Sequence, residues 1–206
     1  MKTLFPMFVK LDGRPVLVVG AGRVGEPKIR GLLATGASIR VIARDASEAV
    51  SDWARAEKIT LEERAFVPSD LDNVFLVVVA TSSRAVNQLI YHEAKLRRIL
   101  CNVVDVPEQC DFYYPAVVQR GNLQIAISTS GESPSLAQKL RRQLEKQFGP
   151  GYARWVEELG ETRRRVQISN LDPARKRELL QSLASAEALE ASIAAESKTS
   201  RRSDAL

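Results

Sequence analysis

Apolar residues come in two patterns along this chain. Pro15-Val16-Leu17-Val18-Val19-Gly20 is a continuous run, rich in β-branched residues and ended by glycine, which is how a strand buried on both faces reads. From Val24 to Thr35 the apolar positions Val24, Ile29, Leu32 and Leu33 instead recur near helical spacing. Pro27 fits only a first helical turn and Gly36 can cap the end, so this stretch predicts a crossover helix. The same grammar then repeats: strand Ser38–Ala43, helix Ala46–Ala56, short strand Ile59–Glu62, strand Val74–Ala80 after the turn-rich segment Pro68–Asn73, helix Ala85–Leu96 and strand Leu100–Val104. Alternating strand and helix predicts an α/β fold with a Rossmann-type parallel sheet, and ligands are expected at the carboxyl ends of its strands.

After Asp105 the pattern changes. Ala116–Gln119 and Leu123–Ser128 flank Arg120-Gly121-Asn122, a hairpin connection. Ser133-Pro134 supplies an N-cap and a first-position proline for a helix over Ser135–Phe148, which Gly149-Pro150-Gly151 breaks. Further helices are expected over Tyr152–Ile168, Pro173–Leu183 and Ala186–Glu196, with a frayed polar tail from Ser197 to Leu206. The expected organisation is a Rossmann domain over residues 1–113, a hairpin-and-helix unit over 114–149 and a helical C-terminal segment over 150–206.

A chain of 206 residues with 45% hydrophobic content can bury a full core. Its longest apolar run, Val74–Ala80, is far shorter than the roughly 20 residues that span a bilayer. The N-terminus lacks a long apolar stretch, so the expectation is a soluble, cytoplasmic protein without a membrane partner. Cys101 and Cys110 match neither a redox pair nor a zinc pattern, and His92 is the lone histidine, so no protein metal site is expected. A net charge of +5 suits an acidic partner such as a nucleic acid or a polycarboxylate. Arg163-Arg164-Arg165 and Arg175-Lys176-Arg177 come without an aromatic stacking set or a nucleic-acid module, which argues for no nucleic acid.

The chemistry concentrates at strand ends. Gly20, Gly22 and Gly25 complete GxGxxG between a strand and a helix, the context in which that pattern indicates a dinucleotide. Gly20 permits the turn, Gly22 lets the backbone approach a pyrophosphate, Gly25 allows close helix packing, and the helix N-terminus offers N–H groups and a positive dipole end. At the end of the second strand, Asp45 can accept from ribose hydroxyls, favouring NAD, whereas Arg44 can meet a 2′-phosphate, favouring NADP. Thr81 is the expected polar contact at the end of the fourth strand. Asn102 and Asp105 end the fifth strand; Asp105 is either an ordinary turn residue or a carboxylate that accepts a proton while a hydride leaves. Ser128-Thr129-Ser130, ahead of a helix start, suits a substrate carboxylate or phosphate, while Lys139, Arg141 and Arg142 on the helix beyond it read as a solvated face.

Taken together, Gly20–Lys28, Asn102–Asp105, Phe112-Tyr113-Tyr114-Pro115-Ala116 and Ser128–Pro134 resemble the precorrin-2 dehydrogenase and sirohydrochlorin ferrochelatase family, the N-terminal part of siroheme synthase. The resemblance covers about residues 1–165. It implies NAD-dependent oxidation of precorrin-2 to sirohydrochlorin in a homodimer joined through the hairpin and helix, with iron or cobalt insertion by some members. Asp105 would be the catalytic carboxylate. Arg23, Val24, Arg44 and Asp45 would line the dinucleotide, while Asn102 and the loop around Thr129 would face a tetrapyrrole rich in carboxylates. Gly25-Glu26-Pro27-Lys28 departs from the family's usual Ala-x-Arg-Lys, which bears on the helix start. Two other readings stay open on the residues: a non-catalytic dinucleotide-sensing module, which leaves the hairpin and helices unexplained, and a carbonyl reductase, for which no Tyr-x-x-x-Lys set is evident.

Overall fold

The computed structural model describes residues 4–185 and residue 187. Contacts cluster into two units that part between Tyr114 and Pro115. In the first, β1 (Pro15–Ala21), α1 (Gly25–Leu33), β2 (Ser38–Ala46), α2 (Glu48–Arg55), β3 (Thr60–Glu63), β4 (Leu76–Val79), α3 (Arg84–Leu96) and β5 (Leu100–Val103) follow in order. The strands form one parallel sheet in the order β3-β2-β1-β4-β5. Chain direction away from β1 therefore reverses between β1 and β4, the point at which such sheets open a crevice.

The apolar runs are continuous because both faces of the sheet are covered. Val16, Val18, Val41 and Val78 pack with Ile29 and Leu32 of α1 and Val50 of α2 on one face. Leu17, Val19, Ile42, Val77 and Val79 pack with Ile90 and Ala94 of α3 on the other. Each such side chain fully removed from water contributes about 1.5–3 kcal/mol. Serines set the starts of two of these helices: Val50 N–H donates to Ser47 Oγ and Val86 N–H to Ser83 Oγ, both at 3.4 Å.

β2 runs three residues further than its apolar pattern suggests. After a register shift, Ala21 pairs with Ala46, and Ser47 N–H donates to the Ala21 carbonyl at 3.0 Å. These backbone bonds carry exposed Arg44 and Asp45 along the strand edge. β4 is shorter than expected, since Val74 and Phe75 belong to the connection that precedes it.

In the second unit, β6 (Ala116–Arg120) and β7 (Leu123–Ile127) form an antiparallel hairpin, followed by α4 (Pro134–Gln147), α5 (Tyr152–Ile168) and α6 (Pro173–Leu183). Helix α4 packs on β6 and α5 on β7. Arg120 donates from Nε to the Phe148 carbonyl at 2.8 Å and from Nη2 to the Glu145 carbonyl at 3.1 Å, which satisfies the end of α4. Phe148, Tyr152 and Trp155 stack edge to face at 5.0 and 5.6 Å. The helix expected over Ala186–Glu196 and the tail Ser197–Leu206 lie, Glu187 apart, outside the described residues. No helix among the described residues is long and apolar enough to cross a membrane.

Two polar residues, Asp70 and Asn102, are buried among the apolar layers. The segment Pro68–Leu71 is a short 3-10 turn, and its Asp70 is 3% exposed. The Asp70 carboxylate receives a two-pronged contact from Arg64 at 2.7 and 2.8 Å, a bond from Val67 N–H at 2.8 Å and a longer one from Arg40 at 3.3 Å. Burial pushes this carboxyl up, but Arg64, Val67 N–H and Arg40 outweigh it and hold the group below its ordinary range. A carboxyl lowered on folding stabilises the protein above its ordinary value, and that stability is lost as pH falls through its folded value. Asp70→Ala is expected to destabilise the fold by about 2–3 kcal/mol at neutral pH in urea unfolding, the half-exposed arginines regaining water. The difference from wild type should shrink as the pH falls below the ordinary carboxylate range; a pH-independent difference would show that another contact is responsible.

Candidate functional site

The turn from β1 to α1 is shaped by backbone that admits no side chain. Gly20 has φ +103°, and a Cβ there would lie 2.4 Å from the Ala80 carbonyl oxygen at the end of β4. At Gly25 a Cβ would fall 2.0 Å from the Gly20 carbonyl oxygen, so α1 starts against the loop itself. Gly22 differs: nothing lies within 4 Å of the position its Cβ would take. Its missing side chain serves no internal packing, and it leaves backbone exposed where a pyrophosphate needs close approach. Helix α1 has no side-chain cap, whereas α2, α3, α4 and α6 each have one. Glu26 N–H donates to the Gly22 carbonyl at 2.9 Å, and the positive dipole end of α1 is left without a side-chain cap, as is that of α5.

A cleft of about 760 Å³ opens over this loop, within the size range of cofactor sites. Gly20, Gly22, Arg23, Val24, Arg44, Asp45, Thr81 and Asp105 all line it. Gly25 shapes the loop from behind. The residues after β3, Arg64, Ala65 and Phe66, form a wall that no motif in the chain marks. Their signal was their place directly after the carboxyl end of a parallel strand. Arg64 is held by Asp70 and Glu62, while Arg23 and Arg44 make no ion pair among the described residues.

Thr81 contributes its wall through a fixed turn. Its hydroxyl donates to Asn87 Oδ1 at 2.5 Å and accepts from Ser83 N–H at 3.2 Å, and Asn87 Nδ2 donates back to the Thr81 carbonyl at 3.2 Å. Asp105 follows β5 with φ +63°, a left-handed conformation that costs a non-glycine residue of order 1 kcal/mol and that Glu57, Asn73, Arg98 and Ser130 also adopt. Its side chain is exposed at the cleft.

Asn102 takes a different place from the one its position suggested. It is 6% exposed, pairs with Val78 in the sheet, and is absent from the cleft lining. Its amide donates to the Phe112 carbonyl at 2.7 Å and to Cys110 Sγ at 3.4 Å, so it is committed to the segment after β5 rather than open to a ligand. Asp111 helps, accepting from Cys101 N–H at 3.0 Å and pairing with Lys95. Burial pushes the Cys101 thiol up to about 12, which makes it a poor nucleophile. Ser128, Thr129 and Ser130 belong to the second unit. There Ser128 Oγ accepts from Ser130 N–H and Thr129 Oγ1 from Ser133 N–H, both at 3.1 Å, so these hydroxyls order the entry to α4. Among the described residues no cluster of histidine, cysteine or acidic side chains could hold a metal ion.

Gly22 and Gly25 separate by experiment. Gly22→Ala should leave the melting temperature unchanged and weaken dinucleotide binding at least about tenfold in calorimetric titration. Gly25→Ala should instead destabilise the fold by about 3 kcal/mol, because backbone has to move. Undiminished binding by Gly22→Ala would remove the loop from the site.

Comparison with known proteins agrees with this geometry. A family described as putative NAD(P)-binding matches residues 7–116, more than half of the chain, and one described as sirohaem biosynthesis protein central matches residues 120–147. Siroheme synthase 2 of Klebsiella pneumoniae subsp. pneumoniae is 44% identical over 140 residues, 68% of this chain and 31% of that protein. Siroheme synthase 2 of Pectobacterium atrosepticum is 39% identical over 163 residues, 79% of this chain and 36% of that protein. The chain thus spans about a third of the length of the curated relatives it matches. Among solved structures, SirC, precorrin-2 dehydrogenase, superposes with a TM-score of 0.79 at 30% identity, covering 90% of this chain and 92% of SirC. On the glycine loop, the parallel sheet and these matches, the chain belongs to the NAD(P)-binding family of sirohaem biosynthesis proteins that includes SirC.

Proposed function

We propose that this chain is an NAD-dependent dehydrogenase that oxidises precorrin-2 to sirohydrochlorin in siroheme biosynthesis. The observation that carries the reading is that the glycine loop and Asp105 line one cleft in a chain superposable on SirC over nine-tenths of its length. When bound, NAD would supply a hydride acceptor. The backbone at Gly22 and the uncapped start of α1 would hold its pyrophosphate, with Arg23 and Val24 lining the same place. Asp45 accepts from the ribose hydroxyls, which favours NAD, and Arg44 flanks the same place. Thr81, fixed by Asn87, is wall rather than hydrogen-bond donor. The reaction removes one hydride and one proton from the macrocycle: the C–H electron pair leaves with the hydride, and the proton passes to the Asp105 carboxylate and then to water. Its left-handed backbone presents that carboxylate outward from the strand end.

The substrate's carboxylates give purpose to the second unit. The Ser128–Ser130 loop and the exposed cations Lys139 and Arg142 on α4 suit a polyanion. Asn102 supports the site through the 110–112 segment. We assign the working enzyme as a homodimer joined through β6, β7 and α4, in the cytoplasm, where two free cysteines stay reduced. Iron or cobalt would enter as a substrate, with Asp105 available to take pyrrole protons, and no nucleic acid or membrane is called for.

Incubation of the pure protein with precorrin-2 and NAD should raise NADH absorbance, with a weaker response to NADP; no NADH from the wild type would overturn the reading. Added ferrous or cobaltous ion tests insertion in the same cuvette. Asp105→Asn should lower kcat about a hundredfold with NAD affinity unchanged.

A further inference from the structure

Arg64 commits every hydrogen-bond donor it has to the protein. A guanidinium carries five N–H groups, all in its own plane. Its Nε and Nη2 donate to Glu62 Oε2 at 3.0 and 2.5 Å, and its Nη1 and Nη2 to Asp70 Oδ2 and Oδ1 at 2.8 and 2.7 Å. The remaining N–H, on Nη1, reaches the Ala65 carbonyl at 3.0 Å. The edges of the plane are thus occupied, yet the side chain is 37% exposed and lines the cleft. What it has left to offer there is the flat face of the guanidinium.

Its charge is matched as well. Arg64 and Arg40 face the carboxylates of Asp70 and Glu62, so two cations meet two anions. The wall after β3 therefore holds no surplus positive charge for a phosphate. Arg23 and Arg44, which line the same cleft without an ion pair among the described residues, differ from it in this respect. A guanidinium with occupied edges suits a flat ring laid parallel on it, because the π-electrons meet the cation and no donor is required.

The sheet decides which ring arrives. Strand order β3-β2-β1-β4-β5 sets Arg64 and Asp105 on opposite sides of the glycine turn, which follows the central strand. A dinucleotide with its pyrophosphate on that turn sends one half towards β5 and the other over β2 and β3. Asp45 at the end of β2 meets the ribose of this second half, and the base beyond that ribose comes to the residues after β3. That base is adenine, a neutral ring.

We propose that the face of the Arg64 guanidinium is the seat of the dinucleotide's adenine, held flat by Asp70 and Glu62. The two carboxylates make this arginine a platform; without them the same side chain would present free donors to a phosphate. The inference rests on the dinucleotide reading of the cleft and not on the identity of the redox substrate.

Calorimetric titration of the full chain with ADP-ribose, and with inorganic pyrophosphate as a ligand without a base, tests the seat. Arg64→Leu should weaken ADP-ribose binding about tenfold and leave pyrophosphate within about twofold. Arg64→Lys keeps a cation for Asp70 but has no plane, so it should lose nearly as much. In turnover both variants should raise the KM for NAD about tenfold with kcat held within about twofold. In the wild type, the adenine H2 and H8 protons of bound ADP-ribose should show nuclear Overhauser contacts to the Arg64 δ-methylene, a readout that needs no variant to fold. ADP-ribose bound by Arg64→Lys as tightly as by the wild type overturns the proposal, since charge alone then serves. So does a loss of ADP-ribose matched by an equal loss of pyrophosphate, the mark of a displaced wall, and so do adenine contacts that miss Arg64. A wild type that shows the adenine contacts but makes no NADH sinks the dehydrogenase and leaves the seat standing; one that binds no dinucleotide sinks both.

Discussion

The site depends on how closely two backbones approach where β1 and β4 end. At Gly20 the chain passes so near the Ala80 carbonyl that a methyl group has no room, and at Gly25 the helix begins against the loop's own carbonyl. This contact sets where α1 starts, and so where its positive dipole end lies. It also places the β4 turn, with Thr81, beside the β1 turn. The cleft follows from that approach: parallel strands leave side by side, their helices diverge to opposite faces, and the space between is lined by turns.

Three walls of the cleft are held from behind by residues that do not line it. Asn87 clamps the Thr81 turn with a pair of hydrogen bonds. Asp70 receives Arg64 and so fixes the segment after β3. Asn102 and Asp111 pin the chain that leaves Asp105. Such supports matter because a cofactor site works by preorganisation: a wall that shifts by an ångström loses the geometry that binding energy would otherwise fix. Polar groups are placed in or near the apolar layers here, and each is satisfied. No buried side-chain nitrogen or oxygen among the described residues lacks a partner.

Asp105 illustrates the trade between stability and function in a single residue. Its left-handed backbone is unfavourable for an aspartate, and its carboxylate is exposed at the cleft rather than used to bind the fold together. The surrounding chain over-determines it through the Asn102 and Asp111 contacts.

The alternation of strands and helices, the both-face burial of the sheet and the serine cap at Ser133 were legible in the chain, whereas the caps at Ser47 and Ser83 came with the structure. These features are local: periodicity, β-branching and a hydroxyl before a helix act within a few residues. The glycine loop and Asp105 were legible for the same reason, as a spacing and a strand end. Asp70 reads as one more turn residue in Pro68–Asn73, and only folding brings Arg40 from β2 and Arg64 from beyond β3 around it. Asn102 reads as a ligand-facing polar residue, and the partner that claims its amide, Phe112, arrives only when the chain doubles back on β5. By itself the sequence determined the elements, the dinucleotide loop and the candidate carboxylate. Tertiary structure alone decided which polar side chains are free to meet a ligand, because that depends on partners distant in the chain that compete for the same hydrogen bonds and charges.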